Sequence, residues 1–420
     1  MTADILIANG FDRYHLLTAA VEAERRGRLE RCIAGFYPTA SICSRLTSFG
    51  LAGKQRIARL MDRKVELPDE RLVTMPILET AGHLGGRLLG DRSVKAARRR
   101  FAGRARAVVQ TSNAALYHYR TGFGHGSAIA ARQRGMATLA DHSIAHPGVL
   151  AHLVQNHGCL PAPGRQGTVS ASWQDVMDDL SHADRVLVNS EFVKETFVHQ
   201  GWDADRIEVI YQGLDDSFFD VLKAAEPAPS TDPDGSLKLL FAGAFEQRKG
   251  ADHLVGTLSS LEDVPWTLRL VGPIDEQMRA RHAAFLDNPR VNVVGRVGRG
   301  ELASRLKAAD VFLFPSLAEG SARVVFEALA AGCFVVTTRN SGSIVEDGKH
   351  GFLVKPDDPQ TTRTALRRAH ADRDMLRKVG EQNHAVVRND HRQSGYGDSL
   401  MAVYDRLLAG RRPDGRLEAA

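Results

Sequence analysis

Short apolar runs alternate with longer amphipathic segments along most of the chain. The first run, DILIANG, is followed by HLLTAAVEAERRG, in which apolar positions recur at helical spacing. Three later runs, RAVVQTS, ATLADHS and RVLVNSE, also end in polar residues, and the last two precede further helical stretches. Strands that alternate with helices predict a parallel sheet joined by crossover helices.

This pattern is interrupted once and then begins again. Residues 222–236, LKAAEPAPSTDPDGS, contain three prolines and few apolar side chains, as is typical of a linker. After it come the apolar runs LKLLFAG, WTLRLVG, VNVVG, DVFLFPS, CFVVTT and FLVKP. We therefore predict an α/β protein of two Rossmann-like, doubly wound domains, at 1–221 and 237–392, which face an interdomain cleft. The amphipathic stretch GYGDSLMAVYDRLLAG, within 393–420, is predicted to be a C-terminal helix that packs back on the first domain.

Composition agrees with a globular protein of this size. The 420 residues are 43% hydrophobic and 25% charged, which leaves room for about two domains. The four cysteines lie far apart with no C-x-x-C pair, which argues against a disulfide framework or a cysteine zinc site and favours a reducing cytoplasm. The N-terminus has an acidic residue where a signal peptide is basic, and no apolar run reaches the length of a membrane span. We expect a cytoplasmic protein.

The net charge of +5 is concentrated in one segment, between Arg92 and Arg106. Such a segment fits an anionic partner, and two interpretations stand side by side: a solvated helix face, or a patch that contacts the anionic inner face of a membrane. Nucleic acid is not expected as a partner, because no aromatic-interleaved basic strand or recognition helix accompanies the charge.

Two glutamates eight residues apart mark the stretch EGSARVVFEALAAG. Glu319 follows the run DVFLF in a loop, whereas Glu327 lies in a helix predicted to begin near Ser321, so about 12 Å separates them. Carboxylates that far apart cannot share a proton or a metal, but each can accept hydrogen bonds from hydroxyls at one end of an elongated polyol. The small residues between them, Gly320 to Ala322, leave a helix N-terminus open to phosphate. The pattern fits a nucleotide sugar, and two unrelated surface glutamates are the alternative.

A second motif, FAGAFEQRKG, places cations at the end of another strand. The run LKLLFAG ends in a turn at Gly243, and Arg248 and Lys249 precede the next helix. Arg chelates phosphate oxygens through its planar fork, and Lys supplies a point charge. The alternative is a solvated basic turn, but both motifs belong to the second domain and both are expected to face the cleft.

Together these residues resemble the retaining glycosyltransferases of the GT-B fold, family 4. The resemblance covers the second domain through the turn at Gly243–Gly250, LVG, VVGRV, LFPSLAEGSARVVFEALAAG and VEDGKHGFLVKPDD. In the first domain it rests on HADRVLVNSEFVKETF and IYQGLD.

The resemblance implies a role for each matching residue. Arg248 and Lys249 would bind the donor diphosphate and stabilise the leaving nucleoside diphosphate, and Glu319 would hold hydroxyls of the donor sugar. Glu327 would bind the ribose. The implied donor-binding set is Gly243, Val297, Gly320, Ser321, Ala322 and Glu327. It also implies no metal and no cofactor beyond the nucleotide sugar itself, because the two cations stabilise the leaving group.

The sequence indicates the residues that bind the acceptor less clearly than those that bind the donor. The segment ATLADHSIAHPG contains His142 and His146, which lack a third ligand for a metal site. The resemblance implies a histidine near the reacting sugar, for which His146 is preferred as a catalytic residue over His142, with satisfied structural histidines as the alternative. Arg120, in a predicted cleft loop at 117–128, and Gly10, in the first loop, complete the acceptor-side set.

The predicted function is hexosyl transfer, with retention, from a UDP- or GDP-sugar to an acceptor hydroxyl. The expected acceptor is a lipid-linked or oligosaccharide precursor of a cell-envelope glycan. A nucleotide-sugar 2-epimerase is one alternative. A non-catalytic nucleotide-sugar-binding protein is another, since Ser321 and Ala322 depart from the usual residues of the family.

Overall fold

The computed structural model describes residues 3–48, 63–162, 167–229, 233, 235–356 and 358–410. They form two parallel sheets, with strand orders β3-β2-β1-β4-β5-β6-β7 and β10-β9-β8-β11-β12-β13. The strands of the first sheet are β1 Ile5–Gly10, β2 Leu29–Ala34, β3 Leu72–Thr74, β4 Leu116–Arg120, β5 Ala137–His142, β6 Arg185–Val188 and β7 Ile207–Val209. The strands of the second sheet are β8 Leu237–Ala242, β9 Trp266–Val271, β10 Val291–Gly295, β11 Val311–Phe314, β12 Phe334–Thr337 and β13 Gly351–Leu353.

Helices connect the strands in both halves. Those before β8 are α1 Leu16–Arg25, α2 Ala40–Ser48, α3 Pro76–Leu89, α4 Asp91–Thr111, α5 His125–Gln133, α6 Pro147–Gln155, α7 Gln174–Ser181, α8 Glu191–His199 and α9 Asp216–Ala224. Those after β8 are α10 Ala251–Leu258, α11 Glu276–Arg281, α12 Ala283–Leu286, α13 Arg299–Lys307, α14 Arg323–Ala330, α15 Pro359–Ala371, α16 Arg373–Asp390 and α17 Gln393–Ala409.

The central strands are buried on both faces, as expected where helices cover a parallel sheet. Every residue of β1, β11 and β12 is buried. The first sheet separates two apolar clusters, one around Leu6 and Phe101 and one around Ile7 and Leu16. The predicted two-domain, doubly wound α/β architecture is therefore confirmed.

The apolar run RAVVQTS belongs to a helix, contrary to the expected strand. It forms the end of α4, whose residues Phe101, Ala105 and Val109 are buried at a spacing of four residues. A single apolar run of this length fits a strand or a buried helix turn equally well. The spacing of four residues between the buried positions is that of a helix.

The strand that follows overlaps the start of the predicted cleft loop at 117–128, so that prediction is corrected for residues 117–120 and holds for the turn at 121–124. Leu116–Arg120 is β4, next to β1 in the middle of the first sheet. The sequence LYHYR hides this strand because several of its side chains are polar, yet they form hydrogen bonds inside the fold. Nδ1 of His118 lies 2.8 Å from the hydroxyl of Tyr404, and the Tyr119 hydroxyl donates to the Asp179 carbonyl over 2.7 Å.

The C-terminal helix crosses back to the first domain, as predicted. In α17, Tyr396, Leu400, Tyr404 and Leu407 are buried in the apolar cluster that includes α1. At the helix start, Asp398 forms an ion pair with Arg26 of the loop after α1, at 2.5 Å.

The chain passes between the two halves at one place, in both directions. Phe218 and Leu222 of α9 pack in the apolar cluster of the second sheet, so α9 belongs there although the predicted boundary assigns most of it to the first domain. The first crossing thus lies near Leu214, before the predicted linker at 222–236. Leu214 donates to the carbonyl of His391 (2.8 Å) and accepts from the amide of Gln393 (2.9 Å), which ties the outgoing and returning chains together.

Candidate active site

A cavity of about 580 Å³ lies at the carboxyl end of the second sheet. Turns after β8, β9 and β10 form one wall, and the start of α14 forms the other. The cavity brings together these predicted residues: Gly243, Lys249, Val297, Glu319, Ser321, Ala322 and Glu327. The two sequence motifs therefore meet at one site.

The turn that carries the cations is held against the neighbouring loop. Gln247–Lys249 form one turn of 3-10 helix, and Gly250 ends it in the left-handed conformation, at φ 81°. A Cβ at Gly250 would lie 1.9 Å from the carbonyl oxygen of Pro315, so no larger residue fits there. This contact places Arg248 and Lys249 beside Glu319.

One carboxylate binds both cations. Oε1 of Glu319 lies 2.7 Å from Nη1 of Arg248 and 2.8 Å from Nζ of Lys249. Arg248 also donates to the Ala318 carbonyl (2.9 Å) and pairs with Glu246 (2.8 Å). Lys249 lines the cavity, whereas Arg248 does not and lies behind it. A diphosphate that binds Arg248 must therefore replace some of these internal contacts.

Glu327 lies in the same cavity on α14. It is 9% exposed, and burial raises the pKa of its carboxyl, an effect that Arg323 and Arg299 oppose. Nε of Arg323 lies 3.4 Å from its Oε1. A buried carboxylate with one long contact retains acceptor capacity for a ligand hydroxyl.

Arg323 and Arg299 share a second carboxylate partner, Asp215, which follows the crossing at Leu214. Arg299 lies 2.9 Å from Oδ2 of Asp215, and Arg323 also forms an ion pair with it. Burial acts to raise the pKa of Asp215, but hydrogen bonds from Ser217 and Arg299 and the charge of Arg323 lower it to about 2. The two arginines are thus fixed, and Arg323 lines the cavity. The sequence motifs did not identify either of them.

The helix after Glu319 begins later than predicted, and its first backbone groups are already bonded. The helix α14 starts at Arg323, and the Ala322 amide donates to the Ser341 carbonyl over 2.9 Å. The Gly320 carbonyl accepts a hydrogen bond of 2.5 Å from the Ser190 hydroxyl of the first domain. The expectation that the backbone from Gly320 to Ala322 is open to a ligand is therefore corrected for these two groups.

A second cavity, of about 590 Å³, lies between the two domains. The first domain contributes Arg13, Tyr14, His15, Ser143 and Asn189, among others, and the second contributes Arg299 and Gly320. Four residues line both cavities: Glu319, Ser321, Arg323 and Glu327. The cavity at the second sheet, which we call the donor-side cavity after its predicted role, therefore opens directly onto the interdomain cavity.

A buried carboxylate organises the first-domain side of this space. Oδ1 of Asp141 accepts from the Tyr14 hydroxyl at 2.8 Å and lies 2.6 Å from Nε2 of His15. His118 lies 3.4 Å from its other oxygen. Burial acts to raise the pKa of Asp141, but His15 and His118 hold it well below its usual range. Tyr14 and His15 were missed, although the polar run DRYH directly after the first strand marks a loop at the carboxyl end of the sheet.

The structure gives His146, which is predicted to be catalytic, the contacts of a helix cap, and its catalytic role stays a prediction. His146 is buried at the start of α6, where its Nδ1 accepts from the Gly148 amide at 3.0 Å. Its Nε2 faces the indole N–H of Trp202 at 3.1 Å, and burial lowers its pKa to about 4. The side chain is a structural cap away from both cavities.

The other acceptor-side predictions also fall outside the two cavities. His142 is buried against Thr121 (3.0 Å), and burial lowers its pKa to about 4. Arg120 donates to the Phe11 carbonyl at 2.7 Å and lies over the ring of Tyr14. A Cβ at Gly10 would lie 2.8 Å from the ring of Phe123, so Gly10 admits this ring and not an acceptor. These three residues support the loops around the interdomain cavity.

One group of potential metal ligands occurs among the described residues. Asp12, Glu79 and His83 offer ligand atoms within 4.8 Å of one another. Arg63 forms ion pairs with both carboxylates, so a guanidinium already offsets one of their two negative charges.

Two facing Rossmann-like domains with a cavity at the carboxyl end of the second sheet define a GT-B fold. The solved structures of similar architecture agree with this. Sucrose-phosphate synthase from Thermosynechococcus elongatus superposes with a TM-score of 0.67 at 19% identity, over 97% of this chain and 99% of that one. Anabaena HepE in complex with UDP and glucose superposes with a TM-score of 0.62 at 16% identity, over 96% and 99%.

Family models match both halves of the chain. Residues 97–218 match "Glycosyltransferase Family 4" and residues 236–372 match "Glycosyl transferases group 1", and together they cover more than half of the sequence. The chain therefore belongs to the family 4, group 1 glycosyltransferases.

Curated relatives align over part of their length. The D-inositol 3-phosphate glycosyltransferase of Nocardioides sp. is 30% identical over 259 residues, which is 56% of this chain and 50% of that protein. The protein of the same name from Paenarthrobacter aurescens is 28% identical over 244 residues, 55% and 58% of the two chains. The chain thus spans about half the length of the curated relatives that it matches.

Proposed function

We propose that the protein transfers a hexosyl group, with retention and without a metal ion, from a nucleotide diphosphate sugar to an acceptor hydroxyl. The observation that carries this proposal is the cavity in which Lys249, Glu319 and Glu327 converge. Glu327 would accept hydrogen bonds from the ribose. Lys249 and Arg248 would bind the diphosphate and stabilise the negative charge that develops as it leaves.

In the proposed reaction, the acceptor oxygen attacks the anomeric carbon from the face that the nucleoside diphosphate leaves. The bond from this carbon to the leaving phosphate oxygen breaks as the new glycosidic bond forms. The leaving phosphate takes the acceptor proton, so no protein base is required. Glu319 would accept hydrogen bonds from donor hydroxyls once phosphate oxygens have taken over its cations.

The adjoining interdomain cavity favours transfer over the isomerase alternative. A 2-epimerase needs no second substrate, whereas here a space of about 590 Å³ meets the donor side at Glu319 and Ser321. The non-catalytic alternative would show nucleotide binding without turnover.

We propose a lipid-linked or oligosaccharide glycan precursor of the cell envelope as the acceptor, met in the cytoplasm. A phosphorylated polyol is a second candidate, suggested by the names of the relatives. Arg13, Arg299 and Arg323 line the interdomain cavity and favour an anionic group there.

Calorimetric titration of UDP, GDP and ADP, without divalent metal, tests the donor assignment. We expect one nucleotide to bind. UDP is the first candidate, because the HepE structure is a complex with UDP. Glu327→Ala should weaken binding by about 1.5–3 kcal/mol, as for loss of a charge-assisted hydrogen bond. Glu346→Ala, an exposed glutamate outside both cavities, is the matched control. Equal binding by the Glu327 variant, or no binding of any nucleotide, would contradict the proposal.

A further inference from the structure

The helix α3 turns large apolar side chains outward. Ile77, Leu84, Leu88 and Leu89 are 82%, 54%, 81% and 76% exposed. Ile77, Leu84 and Leu88 are spaced by seven and four residues, so they lie on one face of the helix. A helix at the surface of a globular domain normally buries such a face.

The inner face of the same helix is built from glycine. A Cβ at Gly82 would lie 3.1 Å from Cβ of Ala97, and one at Gly86 would lie 2.8 Å from Val94. Gly85 likewise packs against Ser93. These contacts bring α3 close against α4, so the orientation of α3 is fixed with its apolar residues outside. The apolar residues therefore face outward because the opposite, glycine-containing face of α3 packs against α4.

The neighbouring helix α4 is strongly basic. Its sequence contains seven basic residues and one acidic residue, Asp91. Lys95 and Arg99 form ion pairs with Asp175. In the part of the chain that the structure describes, no ion pair involves the exposed residues Arg92, Arg100, Arg104 and Arg106. Four exposed cations without an ion-pair partner among the described residues thus lie on the helix that packs against α3.

We propose that α3 and α4 form a docking surface for an anionic membrane, in which α3 inserts its outer apolar side chains between lipid headgroups. The chemistry that fits both parts is an apolar layer beneath negative phosphates. Charge complementarity favours this occupant over a second copy of the chain, which would bring its own cations against these.

No described helix of this protein is both long and apolar enough to cross a bilayer, and α3 has 14 residues, so the contact is interfacial. The surface also lies near the acceptor side, because the Met75 amide before α3 donates to the Ala34 carbonyl at the carboxyl end of β2. The inference that membrane-bound acceptors reach the cleft at this surface rests on the proposed function. The membrane contact itself does not depend on it.

Co-sedimentation of the full chain with vesicles tests the surface. Phosphatidylcholine vesicles are compared with vesicles that also contain phosphatidylglycerol, at low and at physiological salt. We expect binding to the anionic vesicles that weakens as salt rises. Two variants separate the contributions: Ile77→Ser/Leu84→Ser/Leu88→Ser, and Arg92→Ser/Arg100→Ser/Arg104→Ser/Arg106→Ser. Each should lower the vesicle partition coefficient by more than about tenfold.

Matched variants elsewhere on the surface are the controls. Leu160→Ser/Val198→Ser/Val293→Ser removes exposed apolar residues, and Lys349→Ser/Arg377→Ser/Lys378→Ser/Arg388→Ser removes exposed cations. Both should bind vesicles like the unmodified protein. Equal losses in the controls, or no loss in the α3 variant, would overturn the proposal. Conversion of a dimer to a monomer by the α3 variant, measured by light scattering, would assign the face to self-association instead. Nucleotide binding is measured in parallel, so failure here is distinct from failure of the donor assignment.

Discussion

Glu319 lines the donor-side cavity, and its carboxylate also binds Arg248 and Lys249. These are the two cations that a diphosphate would bind in the proposed function. Replacing Glu319 by Gln keeps its shape and removes its charge. We expect Glu319→Gln to bind the nucleoside diphosphate more tightly, since Arg248 and Lys249 lose an internal competitor. Turnover should nevertheless fall, because a neutral amide stabilises the cationic character of the reacting sugar less well.

Calorimetry with the nucleotide and a donor-consumption assay measure these two effects separately. Glu301→Gln, an exposed glutamate on α13, is the control. Weaker nucleotide binding by the Glu319 variant would mean that Glu319 orders the cations and does not compete with phosphate.

The sequence identified the donor side better than the acceptor side, and the residues explain the difference. Glu319, Glu327 and Lys249 sit in short local motifs, so the spacing along the chain determines their positions. Tyr14, His15 and Asp141 meet only when β1 and β5 pair with β4 from its two sides, and no local spacing relates them. A histidine after a strand fits a helix cap as well as a cleft, so the local pattern could not show that His146 caps α6.

At the scale of elements, the buried histidines around α6 make stability depend on pH. Burial lowers the pKa of His142 and of His146 to about 4, whereas an unfolded histidine titrates near 6.5. The unfolded chain therefore takes up protons first as the pH falls, and stability is lost between about pH 6.5 and pH 4. Each histidine should contribute a loss of about 2 kcal/mol between pH 7 and pH 5.

Denaturant unfolding at these two pH values, with His146→Asn, tests this. Asn also caps helices but does not titrate, so the loss on acidification should be smaller in the variant. His157→Asn, at an exposed position after α6, should leave it unchanged. An unchanged pH dependence in His146→Asn would contradict the assignment.

The C-terminal helix stabilises the domain at the other end of the sequence. Leu400 of α17 is fully buried in the cluster with Leu16 and Leu17 of α1. We expect Leu400→Ala to lower the free energy of unfolding by about 2–5 kcal/mol. Hydrogen exchange should rise in α1, while Arg406→Ala, an exposed site on the same helix, should leave it unchanged.

Elements were predicted well where strands were purely apolar and less well where polar residues were satisfied inside the fold. DVFLF and LKLLFAG became β11 and β8 because nothing competes with their burial. The strand LYHYR is buried through a bond between His118 and Tyr404, a residue on the last helix. That partner lies 286 residues further along the chain, so the local pattern cannot reveal it.

At the scale of the whole molecule, the two domains touch through Gly320. A Cβ there would lie 1.8 Å from the carbonyl oxygen of Ser143 in the first domain. We expect Gly320→Ala to force the cleft open, with a longer distance between spectroscopic labels on the two domains. Nucleotide binding should persist, because the donor-side cavity is built from the second domain alone. Gly300→Ala, where a Cβ meets no neighbour, is the control. An unchanged label distance in Gly320→Ala would show that the neighbouring loops absorb the added methyl group.

The pairing of the two chain crossings at Leu214 has a mechanical consequence. Because the outgoing and returning chains are bonded to each other, both connections between the domains lie at one place. We expect opening of the cleft to be a rotation about an axis through this place. Atoms at the cleft mouth travel in proportion to their distance from the axis, so a change of a few degrees in the backbone near Leu214 is amplified where substrates enter.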